Sequence, residues 1–128
     1  MPPRYTIFGK ILDEMLHDIP NARAAIFADE EGETVDMARR RLTGDSAFFD
    51  HQLTAAHWGV VYKACLRCLR DTSLGLLDRI TLRFSQQQTI IARVSAHYYL
   101  ILVLGLDADL QQALRLLDRG RERLAEEM

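Results

Sequence analysis

LTAAHWGVVYKACLRCLR, residues 53–70, is the stretch on which the fold of this chain depends. At 100° per residue, it predicts a helix with apolar side chains on two opposite sides. One side carries Leu53, His57, Val60, Val61, Ala64 and Cys68, and the other carries Trp58, Tyr62, Cys65, Leu66 and Leu69. An ordinary surface helix has one apolar side, so this helix needs two surfaces to pack against.

The side that carries the tryptophan is too large to leave in water. Each large apolar side chain removed from water contributes about 1.5–3 kcal/mol, so four of them contribute about 6–12 kcal/mol. That sum is comparable to the stability of a whole domain. In a chain this short, we expect a second copy to supply the missing cover. The predicted dimer interface consists of Trp58, Tyr62, Cys65, Leu66 and Leu69.

A narrow polar edge separates the two apolar sides of this helix. Small residues on it permit close approach, and basic residues can meet an acidic patch on another protein. We therefore predict a contact with a protein partner there, with a solvated helix edge as the alternative for each residue. The edge consists of Ala56, Gly59, Lys63, Arg67 and Arg70.

Length and composition predict one globular domain over residues 1–128. The formal net charge of −2 argues against nucleic acid as the main partner, because binding a phosphate backbone requires a basic excess. The sequence has neither the ~20 consecutive apolar residues of a membrane span nor a secretory signal at its start. We expect a cytoplasmic protein that contacts no membrane.

Hydrophobic periodicity predicts two further helices and five strands. The helices cover residues 5–19, which stop at Pro20, and a segment that begins at Asp107 or Asp109. The strands are predicted at residues 23–28, 33–38, 80–84, 89–94 and 98–106. The last strand is apolar throughout, so we expect it inside the sheet with both faces covered. Residues 39–50 are predicted as a loop that Phe48 and Phe49 anchor to the core, with Asp50 capping the central helix.

The element order is therefore α-β-β-α-β-β-β-α. It predicts an α+β fold in which helices sandwich a five-stranded antiparallel sheet. The first and last helices are expected on one face and the central helix on the other. One helix cannot fully cover five strands, so a second molecule is expected to dock on that face.

No group of residues has the spacing of a catalytic, cofactor or metal site. Cys65 and Cys68 lie near the end of the predicted helix, whereas redox dithiols use a helix N-terminus, so packing is the better interpretation. A zinc site at these cysteines would need two more ligands, and the four histidines are scattered. We expect no enzyme. A small-ligand sensor with a pocket near Trp58 and Tyr98 is a remaining alternative.

Several segments carry a resemblance to a known family. The first is ILDEMLHDIP (residues 11–20), which is followed by AAIFAD (residues 24–29). The next are the acidic turn with Gly32 and Val35 in the strand after it. The last is the strand YYLILVLGL (residues 98–106), which is followed by DADL (residues 107–110). With these landmarks the chain resembles the Roadblock family of dynein light chains and its bacterial relatives, including MglB-like regulators of small GTPases. Two features depart from the family pattern: Asn21-Ala22-Arg23-Ala24 stands where a glycine is common, and the loop at residues 39–50 is long.

The resemblance implies a homodimer in which two sheets join edge to edge and two central helices lie side by side. It also implies binding of a small Ras-like GTPase. In the MglB-like branch, the central-helix face accelerates hydrolysis by arranging the catalytic parts of the GTPase itself. The alternative is an adaptor that links proteins without changing the rate of hydrolysis. Gly9-Lys10 lacks the pattern of a phosphate-binding loop, so no GTP binding by this chain is expected.

Overall fold

The computed structural model describes the backbone of residues 6–40 and 46–128, and the side chains of these residues except 46–56. The element order confirms the predicted fold class. The elements are α1 (Ile7–Asp18), β1 (Ala22–Asp29), β2 (Thr34–Arg39), α2 (Ser46–Leu69), β3 (Arg79–Arg83), β4 (Gln88–Ser95), β5 (Tyr98–Leu104) and α3 (Leu110–Glu126).

The five strands form one antiparallel sheet in the order β2-β1-β5-β4-β3. The apolar strand β5 lies at its centre, where Ile101 is paired with Ile26 of β1 and with Ile91 of β4. All three side chains are fully buried. The prediction that this strand lies inside the sheet is confirmed, and β3 and β2 are the two edges.

Helices cover both faces of the sheet, as predicted. On one face, α1 and α3 pack over alternate residues of β5, including Leu100, Leu102 and Leu104. On the other face, α2 packs over Tyr99, Ile101 and Val103. Both sides of β5 are thereby removed from water, which accounts for its lack of polar alternation.

Side-chain caps fix the starts of the two helices on the first face. Thr6 caps α1 by accepting a hydrogen bond of 3.0 Å from the backbone N–H of Gly9. Asp109 caps α3 by accepting bonds from the N–H groups of Gln111 and Gln112. The sequence had left Asp107 and Asp109 open as starts of this helix, and the structure selects Asp109.

An arginine of α3 joins this helix to the sheet. Arg121 donates to both carboxylate oxygens of Asp78, at 2.9 and 3.1 Å, and to the carbonyl oxygen of Arg93 at 3.0 Å. Its hydrogen bond and charge hold the pKa of Asp78 below the ordinary value. Asp78 is thus engaged by α3 rather than available to another group.

The start of α2 differs from the prediction. The helix begins at Ser46, so the predicted loop is wrong for residues 46–50, and Asp50 lies within the helix instead of capping it. The segment SAFFDHQ contains no Gly or Pro. Because α2 is apolar on more than one side, it lacks the single stripe that reveals a helix in a sequence. The predicted anchoring by Phe48 and Phe49 lies outside the described side chains.

The departure at the start of β1 has a conformational reason. Asn21 has φ 64°, in the left-handed region where glycine is the default residue. Asparagine tolerates this region better than most other residues. The chain therefore keeps, with Asn21, the backbone conformation that a glycine would otherwise supply.

Two substitutions at position 21 test this account. Asn21→Gly is expected to change the free energy of unfolding little, whereas Asn21→Val should lower it by about 1–2 kcal/mol because valine is strained at this φ. Urea unfolding followed by circular dichroism measures both values. Equal losses in the two variants would contradict the conformational explanation and point to a lost side-chain contact.

Candidate functional site

The inner side of α2 is occupied by the sheet of the same chain. Tyr62 is only 6% exposed, stacks on Tyr99 with ring centroids 5.5 Å apart, and donates a 3.2 Å hydrogen bond to the carbonyl of Leu77. Trp58 and Leu66 pack against the same cluster. Three residues that the sequence assigned to a dimer interface therefore pack within one chain.

The choice of inner side follows from side-chain size. The sequence showed two apolar sides but not which of them meets the sheet. The structure turns the side with the larger rings, Trp58 and Tyr62, toward the sheet, where they fill more volume. The other two predicted dimer residues, Cys65 and Leu69, are half-buried on the border of this side.

Gly59 makes the closest approach between α2 and the sheet. It was predicted on the polar edge, but the structure buries it against the β1–β2 turn and Tyr99. A Cβ atom at this position would lie 3.1 Å from the Cα atom of Gly32 and would overlap the Tyr99 hydroxyl. Gly59 therefore sets the distance between helix and sheet. The side chain of Ala56, also predicted on this edge, lies outside the described ones.

Substitution of Gly59 should destabilise the fold through this contact. Gly59→Val is expected to lower the free energy of unfolding by about 1–3 kcal/mol, because backbone atoms of Gly32 must move. Arg115 is exposed on α3, so the control variant Arg115→Ala should stay within about 0.5 kcal/mol of the parent. Chemical denaturation compares the two variants, and an unchanged stability of Gly59→Val would refute the close approach.

The other three residues of the predicted polar edge form an exposed basic stripe, Lys63, Arg67 and Arg70. Their spacing of four and three residues places them on one flank of the end of α2. None of them forms a salt bridge with another residue in the described part of the chain. The stripe is therefore a positive surface without an ion pair among the described residues.

The outer side of α2 is apolar and faces away from the sheet. Val60 and Cys68 are exposed on it, and Val61 and Ala64 are half-buried. We call these four residues the outer stripe. They belong to the second apolar side that the sequence indicated, but the structure leaves them without the sheet as cover.

Exposed leucines continue the apolar surface beyond the end of α2. Leu74 and Leu76, in the connection to β3, are 77% and 74% exposed. Phe84, just after the edge strand β3, is 42% exposed. In the sequence, the only signal for this surface is the presence of leucines within the otherwise polar segment DTSLGL.

A cavity of about 210 Å³ lies between α2, the connection to β3 and the β4–β5 turn. Tyr62, Leu66, Leu76 and Tyr99 give it an apolar lining. Burial raises the pKa of Tyr62, and burial followed by the charge of Asp29 raises the pKa of Tyr99 to about 12. Burial thus keeps both phenols neutral above the pH at which a tyrosine in water ionises.

This cavity corresponds in part to the ligand pocket predicted near Trp58 and Tyr98. Tyr98 lines it, whereas Trp58 lies outside its lining. Basic side chains from separate elements also reach it, namely Lys63, Arg93 and His97. Their convergence was not visible in the sequence, because they belong to α2, β4 and the following turn.

The described residues form neither a metal site nor a membrane span. Among them, no three His, Cys, Asp or Glu side chains are grouped in a way that would hold a metal ion. None of the helices, over the residues described, is long and apolar enough to cross a bilayer.

The sheet order and the three layers define the Roadblock/LC7-like fold, which this chain shares with MglB proteins. Myxococcus xanthus MglB superimposes with a TM-score of 0.81 at 12% sequence identity, covering 97% of this chain and 96% of that one. A Roadblock/LC7 domain from Streptomyces avermitilis gives 0.80 at 13% identity, with 93% and 95% covered.

A third similar structure is an MglB described as having a tetrameric arrangement. Its TM-score is 0.80 at 16% identity, and the match covers 98% of this chain and 96% of that one. No family model and no curated protein sequence matches the chain. At these identities, the likeness establishes the fold and leaves the function to be argued from the surface.

Proposed function

We propose that the protein is a homodimeric regulator that binds a small Ras-like GTPase and modulates its nucleotide cycle. The observation that carries the proposal is the division of α2 into three surfaces. Its inner side holds the sheet, which leaves an apolar outer stripe and a basic stripe for other molecules. The resemblance to MglB-like regulators gives these two surfaces their roles.

The outer stripe is the surface that we assign to the second copy. In this role the outer stripe takes the place of Trp58, Tyr62 and Leu66, which were predicted at the dimer interface but pack against the sheet of the same chain. Val60, Ala64 and Cys68 recur every four residues, and their small or medium size lets two helices lie side by side. The edge of β3, which pairs only with β4 in the described chain, provides backbone groups for a sheet that continues into the partner.

The dimer is tested by placing a charge on the outer stripe. The native chain is expected to sediment as a dimer at micromolar concentration, and Val60→Glu should shift it to the 14.7 kDa monomer by burying an unpaired carboxylate. Ile7→Glu is the matched control, because Ile7 is a 47% exposed apolar residue on α1. A folded native chain that sediments as a monomer would contradict the proposed dimer.

The basic stripe is the surface that we assign to the GTPase. Lys63, Arg67 and Arg70 are exposed and lack acidic partners among the described residues, so an acidic patch can approach them without displacing existing ion pairs. In this proposal, the protein positions the bound GTPase and supplies positive charge at the contact. The nucleotide and the groups that hydrolyse it belong to the GTPase.

Binding is tested with a Ras-like GTPase from the same genome, loaded with GDP or with a non-hydrolysable GTP analogue. A complex that depends on the nucleotide is expected. Reversing the three charges, with Lys63→Glu, Arg67→Glu and Arg70→Glu, should weaken it roughly tenfold, since three lost charge pairs of about 0.5 kcal/mol each amount to about 1.5 kcal/mol. The same number of reversals at Lys10, Arg115 and Arg119, all exposed on α1 and α3, is the control.

The rate of GTP hydrolysis then separates the regulator from the adaptor. An altered rate on addition of the protein supports regulation, whereas tight binding with an unchanged rate favours an adaptor. The absence of binding in both nucleotide states would refute the assignment of this surface to that GTPase.

A further inference from the structure

The cavity between α2 and the β4–β5 turn combines an apolar body with a positive rim. The rings of Tyr62 and Tyr99 and the side chains of Leu66 and Leu76 line the body. Its volume of about 210 Å³ equals about seven water molecules, or an organic acid of about ten non-hydrogen atoms. Apolar pockets with a few converging polar groups are the usual form of small-molecule sites.

Three acidic side chains among the described residues lie near the cavity, and each of them is engaged within the chain. Glu30 lies at its rim, but its carboxylate is 3.1 Å from Nδ1 of His97. Asp78 lies close enough to influence Tyr62 and Arg93, but its carboxylate is bound by Arg121. Asp29, whose charge raises the pKa of Tyr99, accepts hydrogen bonds from the backbone N–H groups of Glu31 and Glu33. All three acids thus already have a partner.

Two basic side chains at the rim of the cavity have no salt-bridge partner among the described residues. Neither Lys63 nor Arg93 forms a salt bridge with a described residue, and Arg93 is half-buried. A half-buried guanidinium beside apolar rings favours a planar anion, which it can bind with two parallel hydrogen bonds.

We propose that this cavity binds a small organic carboxylate with an apolar body. The carboxylate pairs with Arg93 and Lys63, and the apolar part packs between the tyrosine rings and the two leucines. Because the cavity joins α2 to the β4–β5 turn, the bound acid contacts the helix that also carries the basic stripe. Lys63 is shared with the basic stripe, whereas Arg93 belongs to neither surface assigned above. A test at Arg93 is therefore independent of the proposed GTPase contact.

Phenylacetate is a suitable probe, and phenylacetamide is its uncharged counterpart of the same shape. Titration of the ¹⁵N-labelled full chain should give saturable shifts of backbone amides at residues 62–66 and 95–99, which border the cavity. Affinity for the amide should be at least roughly tenfold lower, because the charge-assisted hydrogen bonds are lost.

The protein-side test is Arg93→Gln, compared with Arg83→Gln on the exposed face of β3. Arg93→Gln should weaken phenylacetate binding roughly tenfold, and Arg83→Gln should leave it unchanged. Circular dichroism verifies that each variant is folded, and the comparison of acid with amide needs no variant. Three results would overturn the proposal: no saturable shift at about 10 mM, equal affinity for acid and amide, or shifts confined to other parts of the chain.

Discussion

The burial of β5 on both faces is the constraint on which the rest of the structure depends. A strand that is apolar at every position cannot lie at an edge or under a single layer without exposing half of its side chains. It is placed between β1 and β4, with α1 and α3 on one side and α2 on the other. The three-layer arrangement follows from this strand, and the position of α2 follows from the arrangement.

The contact of Gly59 with Gly32 and Tyr99 determines which part of α2 is left for other molecules. It brings the helix close to the sheet and fixes its rotation, so that Tyr62 points inward. The basic stripe and the outer stripe are exposed as a result. The surface that we propose for binding is thus left exposed by a packing requirement on the opposite side of the same helix.

Much of the fold was predictable because α1 and α3 each have a single apolar stripe, β2 and β3 alternate between polar and apolar residues, and β5 is an uninterrupted apolar run. The start of α2 was not, since a helix with more than one apolar side lacks a distinct stripe. For the same reason, the sequence did not show which side of α2 meets the sheet. Periodicity gives the angle between Trp58 and Val60 around the helix, but it does not identify the surface that each of them contacts. The cavity also escaped sequence reasoning, because Lys63, Arg93 and His97 are brought together by the tertiary fold.

The location of the single tryptophan has a practical consequence. Trp58 is half-buried on the inner side of α2, with its ring 5.7 Å from that of Phe84 beside the edge strand. Indole emission depends on local polarity, so the unlabelled chain carries an optical reporter at the junction of helix and sheet. Any event that lifts α2 will move this emission toward longer wavelengths, while an event confined to α1 and α3 will leave it unaltered.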